Sequence, residues 1–233
     1  MKLKTMKSLK ESIFNDIDDI ASNDTALIEQ FLKDNYNITG SYTIKDDVVD
    51  VKGDVTVKNK NIESLTNGLF RFGTVRGCFY CIRCTKLASL KGAPKEVGVN
   101  FYCRACNSLT TLDGAPKEVN RDFSCFNCRE LKSLKGAPKE VGGDFNCAFC
   151  SSITSLKGAT KEVGKDFYCT DCPKLKSLEG APEEVGGSFW CSRCPSLTSL
   201  EGGPRKVGKD FYCHDCQLLK ITNSDRKKYR IEL

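Results

Sequence analysis

The sequence is poor in residues on which several classes of protein depend. It has a single histidine, His214, one tryptophan and two methionines among 233 residues. No stretch reaches the roughly 18 apolar residues that a transmembrane helix requires. It contains no phosphate-binding loop, no paired carboxylates of a catalytic cleft and no Ser/His/Asp or Cys/His arrangement. We therefore expect a protein without enzymatic activity.

The charge balance is also modest. The chain carries 36 basic and 30 acidic residues, a net charge of +6, which is too small a bias to indicate a dedicated nucleic-acid binder. Hydrophobic residues make up 39% and charged residues 28%, as in a folded, soluble protein. The basic segment 1–10 is followed by neither an apolar stretch nor a cleavage site, so we expect no secretory signal and a cytoplasmic location.

Cysteine is abundant instead, and the cysteines are periodic. Of the 15 cysteines, all but Cys78 belong to seven Phe-x-Cys-x-x-Cys motifs, and each motif follows the previous one by 22 residues. The motifs begin at Phe79, Phe101, Phe123, Phe145, Phe167, Phe189 and Phe211. Valine and leucine columns, such as those of Val97 and Leu109, keep the same step. A fixed period with apolar columns predicts a solenoid, in which each repeat buries its apolar side against the next.

The predicted fold is a β-rich solenoid: a leucine-rich-repeat-like array of seven 22-residue repeats with a parallel sheet, plus an N-terminal α-helical cap. Phe101 and Cys103 take the inward positions of a short strand. Cys106 takes the position at which an Asn or Cys side chain bonds backbone groups in the turn. Gly114 and Pro116 disfavour a helix on the return path, which we expect to be extended or 3₁₀-like.

We divide the chain into four segments. They are an N-terminal helical segment (1–40), a degenerate capping repeat (41–78), the solenoid (79–222) and a polar C-terminal tail (223–233). Apolar spacing predicts helices over residues 8–21 and 25–34, which either cap the solenoid or form a separate partner-binding or oligomerisation element. A cap is needed because an exposed apolar end and a bare sheet edge invite association.

One phrase of the repeat resembles a known family. Residues 133–147 read Ser-Leu-Lys-Gly-Ala-Pro-Lys-Glu-Val-Gly-Gly-Asp-Phe-Asn-Cys, which is similar to leucine-rich-repeat proteins of tailed bacteriophages, especially gut phages, and of some bacteria. Residues 6–12 and 55–62 are similar to segments of such phage proteins. The resemblance implies protein binding without enzymatic activity. It suggests a viral protein that acts in the host bacterial cytoplasm on a host factor or defence system.

The Cys-x-x-Cys pairs leave three roles open: structural thiols, metal ligands or disulfides. A four-cysteine zinc site needs two pairs in tetrahedral geometry, and the solenoid would place neighbouring pairs side by side. The relatives usually carry Asn-Asn-x-Leu where this chain has its second cysteine. However, an inward apolar position and a turn position explain both cysteines without metal. We expect no cofactor, and keep a zinc-binding or redox-sensing solenoid as an alternative. Cys78 is predicted to face outward and to be the one exposed thiol.

Strand alternation predicts three outward columns on the concave face of the sheet. The predicted partner-binding residues on these columns are Tyr80, Tyr102, Arg104, Asp122, Phe126, Asp144, Asp166, Tyr168, Trp190, Asp210 and Tyr212. Exposed aromatic side chains on a rigid sheet are typical contact anchors, and the acidic flank favours a basic protein surface. A cross-strand aromatic ladder also stabilises a sheet, so a purely structural role remains open.

The leading prediction is a non-enzymatic protein that binds a protein partner, expected to be a host protein, on the concave strand face. Neither a membrane nor a nucleic acid is an expected partner. The nucleic-acid alternative would use the basic residues Lys161, Lys165, Arg205, Lys206 and Lys209. It is disfavoured because stacking of single-stranded nucleic acid needs a positive groove, whereas the charges nearest the aromatic column are negative.

Overall fold

The computed structural model describes residues 24–233, so the predicted helix over residues 8–21 lies outside the described part. Helix α1 covers residues 24–35 of this part. In the described chain, nineteen strands, numbered in chain order, then form two sheets of ten and nine strands. A short helix, α2 (Asn223–Lys228), precedes the last strand.

Sheet 1 is built from the Phe-x-Cys motifs. Its strands in spatial order are β1 (Tyr36–Ile38), β4 (Val55–Val57), β6 (Phe79–Tyr80), β8 (Phe101–Tyr102), β10 (Phe123–Ser124), β12 (Phe145–Asn146), β14 (Phe167–Tyr168), β16 (Phe189–Trp190), β18 (Phe211–Tyr212) and β19 (Ile231–Glu232). All neighbours are parallel except β1, which pairs antiparallel with β4. Each repeat therefore contributes one short strand in the same direction.

Sheet 2 is built from the residues that precede each motif. Its strands are β2 (Tyr42–Lys45), β3 (Val48–Val51), β5 (Arg71–Val75), β7 (Glu96–Val97), β9 (Glu118–Val119), β11 (Glu140–Val141), β13 (Glu162–Val163), β15 (Glu184–Val185) and β17 (Lys206–Val207). The return path is extended, as predicted, and its two-residue strands make this second parallel sheet. Valine points inward and glutamate outward; Val119 is 2% exposed.

The chain thus forms a solenoid, and the predicted fold class is confirmed. Each turn passes through sheet 2 and then sheet 1, and equivalent residues of neighbouring turns lie in register. Phe123 pairs with Phe101 on one side and Phe145 on the other. Because every turn stacks on identical positions, an insertion of one residue would shift all its inward side chains.

The core is a set of parallel ladders. The motif phenylalanines are fully buried and their ring centroids follow one another at 4.9 to 5.6 Å. Phe101 and Cys103 are both 0% exposed, as the inward positions require. Leu109 and Leu112 complete the same turn, also at 0% exposure. Burial of each phenylalanine contributes about 2 to 3 kcal/mol, so the ladder is a major source of stability.

Sharp turns join the ladders. Gly114 has a φ of +94°, and a Cβ atom there would lie 2.4 Å from the backbone nitrogen of Lys91 in the preceding turn. The last residue before the second cysteine of each motif is also left-handed: Ala105 has a φ of 55°. The first turn requires glycine for space, whereas the second accepts larger side chains that point outward.

The two ends of the solenoid are closed differently. At the N-terminal end, Ile28 and Leu32 of α1 are buried, and β1 and β2 add antiparallel strands to the two sheets. At the C-terminal end, β19 continues sheet 1 beyond β18, whereas β17 is the last strand of sheet 2. Sheet 2 therefore ends one strand earlier than sheet 1.

Residues 223–233, which the sequence predicts to be a polar tail, fold onto the last turn of the solenoid. Thr222 and Asp225 form a capping box at the start of α2. Tyr229 is buried, its ring lies 4.5 Å from that of Phe211, and its hydroxyl donates to the Pro204 carbonyl at 2.7 Å. The basic residues around Tyr229 conceal these apolar contacts in the sequence.

The described residues include no helix with the length and apolarity needed to cross a membrane.

Candidate partner-binding surface

The aromatic side chains predicted on the outer face of sheet 1 form a row with a gap. We call Tyr80, Tyr102, Tyr168, Trp190 and Tyr212 the aromatic row; all are half-buried. Tyr80 and Tyr102 form a tilted pair with centroids 5.6 Å apart. Tyr168, Trp190 and Tyr212 form a stack with centroid distances of 5.8 and 3.7 Å. The rings of the stack cover one another and remain partly exposed to solvent.

The gap in the row lies at turns whose equivalent residues are short. Ser124 and Asn146 occupy the aromatic position in β10 and β12. We call this gap the notch. Parallel strands lie about 4.8 Å apart, so Tyr102 and Tyr168 stand roughly 14 Å apart across it. The sequence shows both substitutions, but not that they leave one face of the Tyr168 ring uncovered.

The acidic column beside the row is a hydrogen-bonded ladder, which the sequence analysis missed. The Oδ1 atom of Asp122 accepts from the backbone amide of Asp144 at 3.0 Å, and Asp144 accepts from Asp166 in the same way. Asn100 makes the equivalent bond to the Asp122 amide. Each side chain thus joins two turns, and the column has a structural role whether or not a partner binds.

The second carboxylate oxygen of the ladder residues faces the aromatic row. Tyr102 donates its hydroxyl to Oδ2 of Asp122 at 3.1 Å, and Tyr168 donates to Oδ2 of Asp166 at 2.9 Å. Burial raises the pKa of both tyrosines, and the nearby carboxylates raise it further. The hydroxyls therefore remain donors, and the aromatic row and the acidic ladder are one connected structure. Tyr212 and Asp210 repeat the contact at 3.4 Å.

Asp144 is the exception because neither its own turn nor the preceding one carries a tyrosine: the equivalent residues are Asn146 and Ser124. In the described chain, its Oδ2 atom accepts no hydrogen bond and no cation lies within ion-pair distance of it. Its pKa is raised, first by burial and then by the charges of Asp122 and Asp166, while Lys165 acts in the opposite direction. Asp144 is thus a half-buried carboxylate with one unused oxygen, at the edge of the notch.

The third outward column supplies Arg104 and Phe126. The Arg104 guanidinium lies 4.0 Å from the centroid of the Tyr102 ring, and its Nε donates to the Ser124 hydroxyl at 2.9 Å. Phe126 packs against Phe149, 5.1 Å between centroids, and Phe149 is 43% exposed. The sequence analysis missed Phe149, because strand alternation does not extend into the left-handed turn that directs it outward.

The Trp190 end of the row contains buried polar atoms without partners. Neither the indole Nε1 of Trp190 nor the hydroxyl of Ser192 has a hydrogen-bond partner within residues 24–233. A buried donor left unpaired costs about 1 to 3 kcal/mol, so such groups call for an explanation. Nearby, Arg230 forms an ion pair with Asp210, 3.0 Å between Nε and Oδ1.

The cysteines form two buried ladders. The first cysteine of each motif packs in the core, and the second donates its S–H group to a carbonyl of the preceding turn, as Cys106 does to Cys81 at 2.8 Å. Burial raises the pKa of Cys103 and other core thiols. All 15 are free thiols, and the described residues include no cluster of three or more His, Cys, Asp or Glu side chains arranged to hold a metal.

Two thiols differ from the sequence-based expectations. Cys78, which was expected to be the exposed thiol, is buried at 8% exposure. It lies beside the Tyr80 side chain, and this proximity raises the pKa of Tyr80. The more accessible thiol is Cys216, in the last turn, where no further motif covers it. Its pKa is lowered to about 7, mainly by a hydrogen bond with Cys194 and also by His214.

Three of the five basic residues of the nucleic-acid alternative are paired with acids, whereas Lys165 and Lys209 form no ion pair within the described residues. Lys161 lies 3.9 Å from Glu183, and Lys206 lies 3.7 Å from Glu184, which also contacts Arg205. Four surface grooves of 330 to 450 Å³ lie away from the aromatic row, on sheet 2 and its adjoining loops.

Comparison of the chain with protein-family models, curated proteins and solved structures finds no match.

Proposed function

We propose that the outer face of sheet 1 binds a protein partner, with the Tyr168–Trp190–Tyr212 stack as its main contact. The observation that carries this proposal is the stack itself, which is half-exposed and contains an indole nitrogen without a hydrogen-bond partner. Interface hot spots are enriched in tryptophan, tyrosine and arginine, and side chains already fixed in place lose little entropy on binding.

The surroundings of the stack support a protein partner over a nucleic acid. Asp166 and Asp210 flank the rings, and negative charge disfavours a phosphate backbone. The rings of the stack cover one another except for the outer face of Tyr168, and that face lies beside Asp144 and Asp166, whereas stacked bases need a positive groove. The proposed activity is binding without catalysis. The suggested setting, a viral protein acting on a host factor in a bacterial cytoplasm, rests on the resemblance of the repeat phrase alone.

The test is capture of a partner from a bacterial lysate, with and without nuclease, by wild type, Trp190→Ala and a control. Tyr42→Ala is the matched control, because Tyr42 is an exposed aromatic residue on β2 of sheet 2. The captured protein is then purified and its affinity measured by calorimetry. We expect Trp190→Ala to weaken binding by at least about 30-fold, the size of a hot-spot effect, and Tyr42→Ala to leave it unchanged.

Two results would contradict the proposal. One is equal affinity of wild type and the Trp190→Ala variant while the latter remains folded. The other is capture that disappears with nuclease, which would indicate a nucleic-acid-dependent interaction through the basic residues.

A further inference from the structure

We propose that the notch binds an arginine side chain of the protein partner, with its guanidinium stacked on the free face of Tyr168 and paired with Asp144. This deepens the proposed function and rests on it. The notch is the one place in residues 79–212 where two successive turns of the row lack an aromatic ring. Arg104 of this chain bonds to Ser124, which is 1% exposed, so a partner's side chain can enter only at Asn146, beside Tyr168.

One face of the Tyr168 ring is uncovered. Trp190 covers one side of the Tyr168 ring at 5.8 Å between centroids. The other side faces Asn146, which β12 places next to Tyr168 in register. Among the described residues, no ring or cation lies against that second side. An uncovered tyrosine face within a row of stacked rings attracts a cation through the ring quadrupole.

The edge of the notch is negatively charged. Asp122, Asp144 and Asp166 follow one another along the edge of the notch, and Oδ2 is already occupied by a tyrosine hydroxyl in the first and last. The Oδ2 atom of Asp144 is unused. A cation entering the notch would relieve the repulsion among the three carboxylates and add a charge-assisted hydrogen bond.

The geometry favours a guanidinium over an ammonium group. The protein already contains one such contact: the Arg104 Cζ atom lies over the Tyr102 ring, 4.0 Å from its centroid, and Nε donates to Ser124. A planar guanidinium stacks on an aromatic ring and presents its N–H groups sideways, whereas an ammonium group is compact and more strongly hydrated. Entering from the other side of the notch, a second arginine would make the corresponding contacts with Tyr168 and Asp144.

The probe is the peptide acetyl-Gly-Arg-Gly-amide, compared with the same peptide carrying lysine or the neutral isostere citrulline. Each is titrated into the full-length ¹⁵N-labelled protein, and the backbone amide of Tyr168 is followed by NMR. The side-chain amide of Gln217, which is exposed in the last turn, serves as a reference outside the notch. We expect the arginine peptide to shift the Tyr168 signal saturably, and the citrulline peptide to bind at least about tenfold more weakly because it lacks the charge.

Two variants locate the site. Asn146→Tyr restores the ring found in five other turns and fills the notch, so we expect it to abolish the shift. Asp144→Asn keeps the ladder acceptor and removes the charge, and we expect at least about tenfold weaker binding. Glu201→Gln removes one exposed charge elsewhere and is the matched control. Thermal melts confirm that each variant is folded.

Equal binding of the arginine and citrulline peptides, or unchanged binding by folded Asn146→Tyr, would overturn the arginine site. A lysine peptide that binds as tightly as the arginine peptide would overturn the selection of guanidinium. None of these results depends on the partner, so the notch can fail while Trp190-dependent capture still supports the proposed function. Conversely, loss of Trp190 dependence leaves the peptide result intact.

Discussion

The Oδ1 atom of Asp144 accepts a hydrogen bond from the backbone amide of Asp166, exactly one repeat further along the chain, at 3.0 Å. The same contact recurs from turn to turn, and in one turn an asparagine, Asn100, makes it equally well. The ladder therefore requires an acceptor oxygen and not a charge. This distinction separates the structural contribution of the column from its electrostatic one.

A pair of variants at Asp144 tests that separation. Asp144→Ala leaves the Asp166 amide without its acceptor and should lower the free energy of unfolding by about 1 kcal/mol. Asp144→Asn keeps the acceptor and removes repulsion from Asp122 and Asp166, so its stability at pH 7 should equal or exceed that of wild type. Denaturant unfolding measures both; a less stable Asp144→Asn variant would show that the charge itself is needed.

The pH dependence of this pair follows from the raised pKa of Asp144, whose ordinary value is 3.8. Between pH 3.8 and the raised pKa, the Asp144 carboxylate of the folded protein binds its proton more tightly than that of the unfolded chain does. The contribution of Asp144 to stability therefore decreases as pH rises through this window. We expect the advantage of Asp144→Asn over wild type to be largest at neutral pH and to vanish below the window, as measured by unfolding at a series of pH values.

Cys216 should be the fastest-reacting thiol of the folded protein. It is the least buried cysteine, and its pKa is about 7, so its thiolate fraction rises steeply through neutral pH. Alkylation followed by mass spectrometry should show one fast site between pH 6 and 8, absent in Cys216→Ser, and about fifteen sites after denaturation. Uniform protection together with stoichiometric zinc in the purified protein would instead support the metal-binding alternative.

Gly114 and Gly68 provide a matched test of the turn geometry. Both have positive φ, +94° and +76°, but an added Cβ meets the backbone of the preceding turn at Gly114 and no atom within 4 Å at Gly68. Gly68→Ala should cost about 1 kcal/mol from backbone strain alone. Gly114→Ala should cost several times more, because two turns must separate. Similar unfolding midpoints for the two variants would contradict the close approach of the turns.

Tyr229 should control the stability of the C-terminal end. Tyr229→Ala removes the ring that covers Phe211 and should accelerate hydrogen exchange at the Phe211 amide, which donates to the Arg230 carbonyl at 2.8 Å. Tyr229→Phe loses only the hydroxyl bond to Pro204 and should have a smaller effect. The Phe145 amide, in the middle of the solenoid, is the internal reference. Equal acceleration at Phe145 would indicate global unfolding instead of fraying at this end.

The sequence predicts the parts of this molecule that depend on periodicity. Phe101 and Cys103 are inward because a column of identical residues at a fixed step must be the stacked core. The second sheet was not predicted, because its strands contain only two residues and one of them, as in Glu118–Val119, is charged. The hydrogen bond between Asp144 and Asp166 was missed for another reason: spacing shows which residues are neighbours but not which of their atoms meet. Cys78 was misplaced because its burial depends on the Tyr80 side chain.

The in-register stacking of turns has a consequence for how this surface can change. The turn and the column of a residue fix its position on the outer face. Equivalent residues of neighbouring turns are about 4.8 Å apart. An in-frame duplication of one 22-residue repeat would move everything beyond it by one step and leave the interior unchanged. Duplication of repeats can therefore lengthen the distance between two contact residues by one strand spacing at a time. Substitutions at the contact positions change their chemistry independently of that distance.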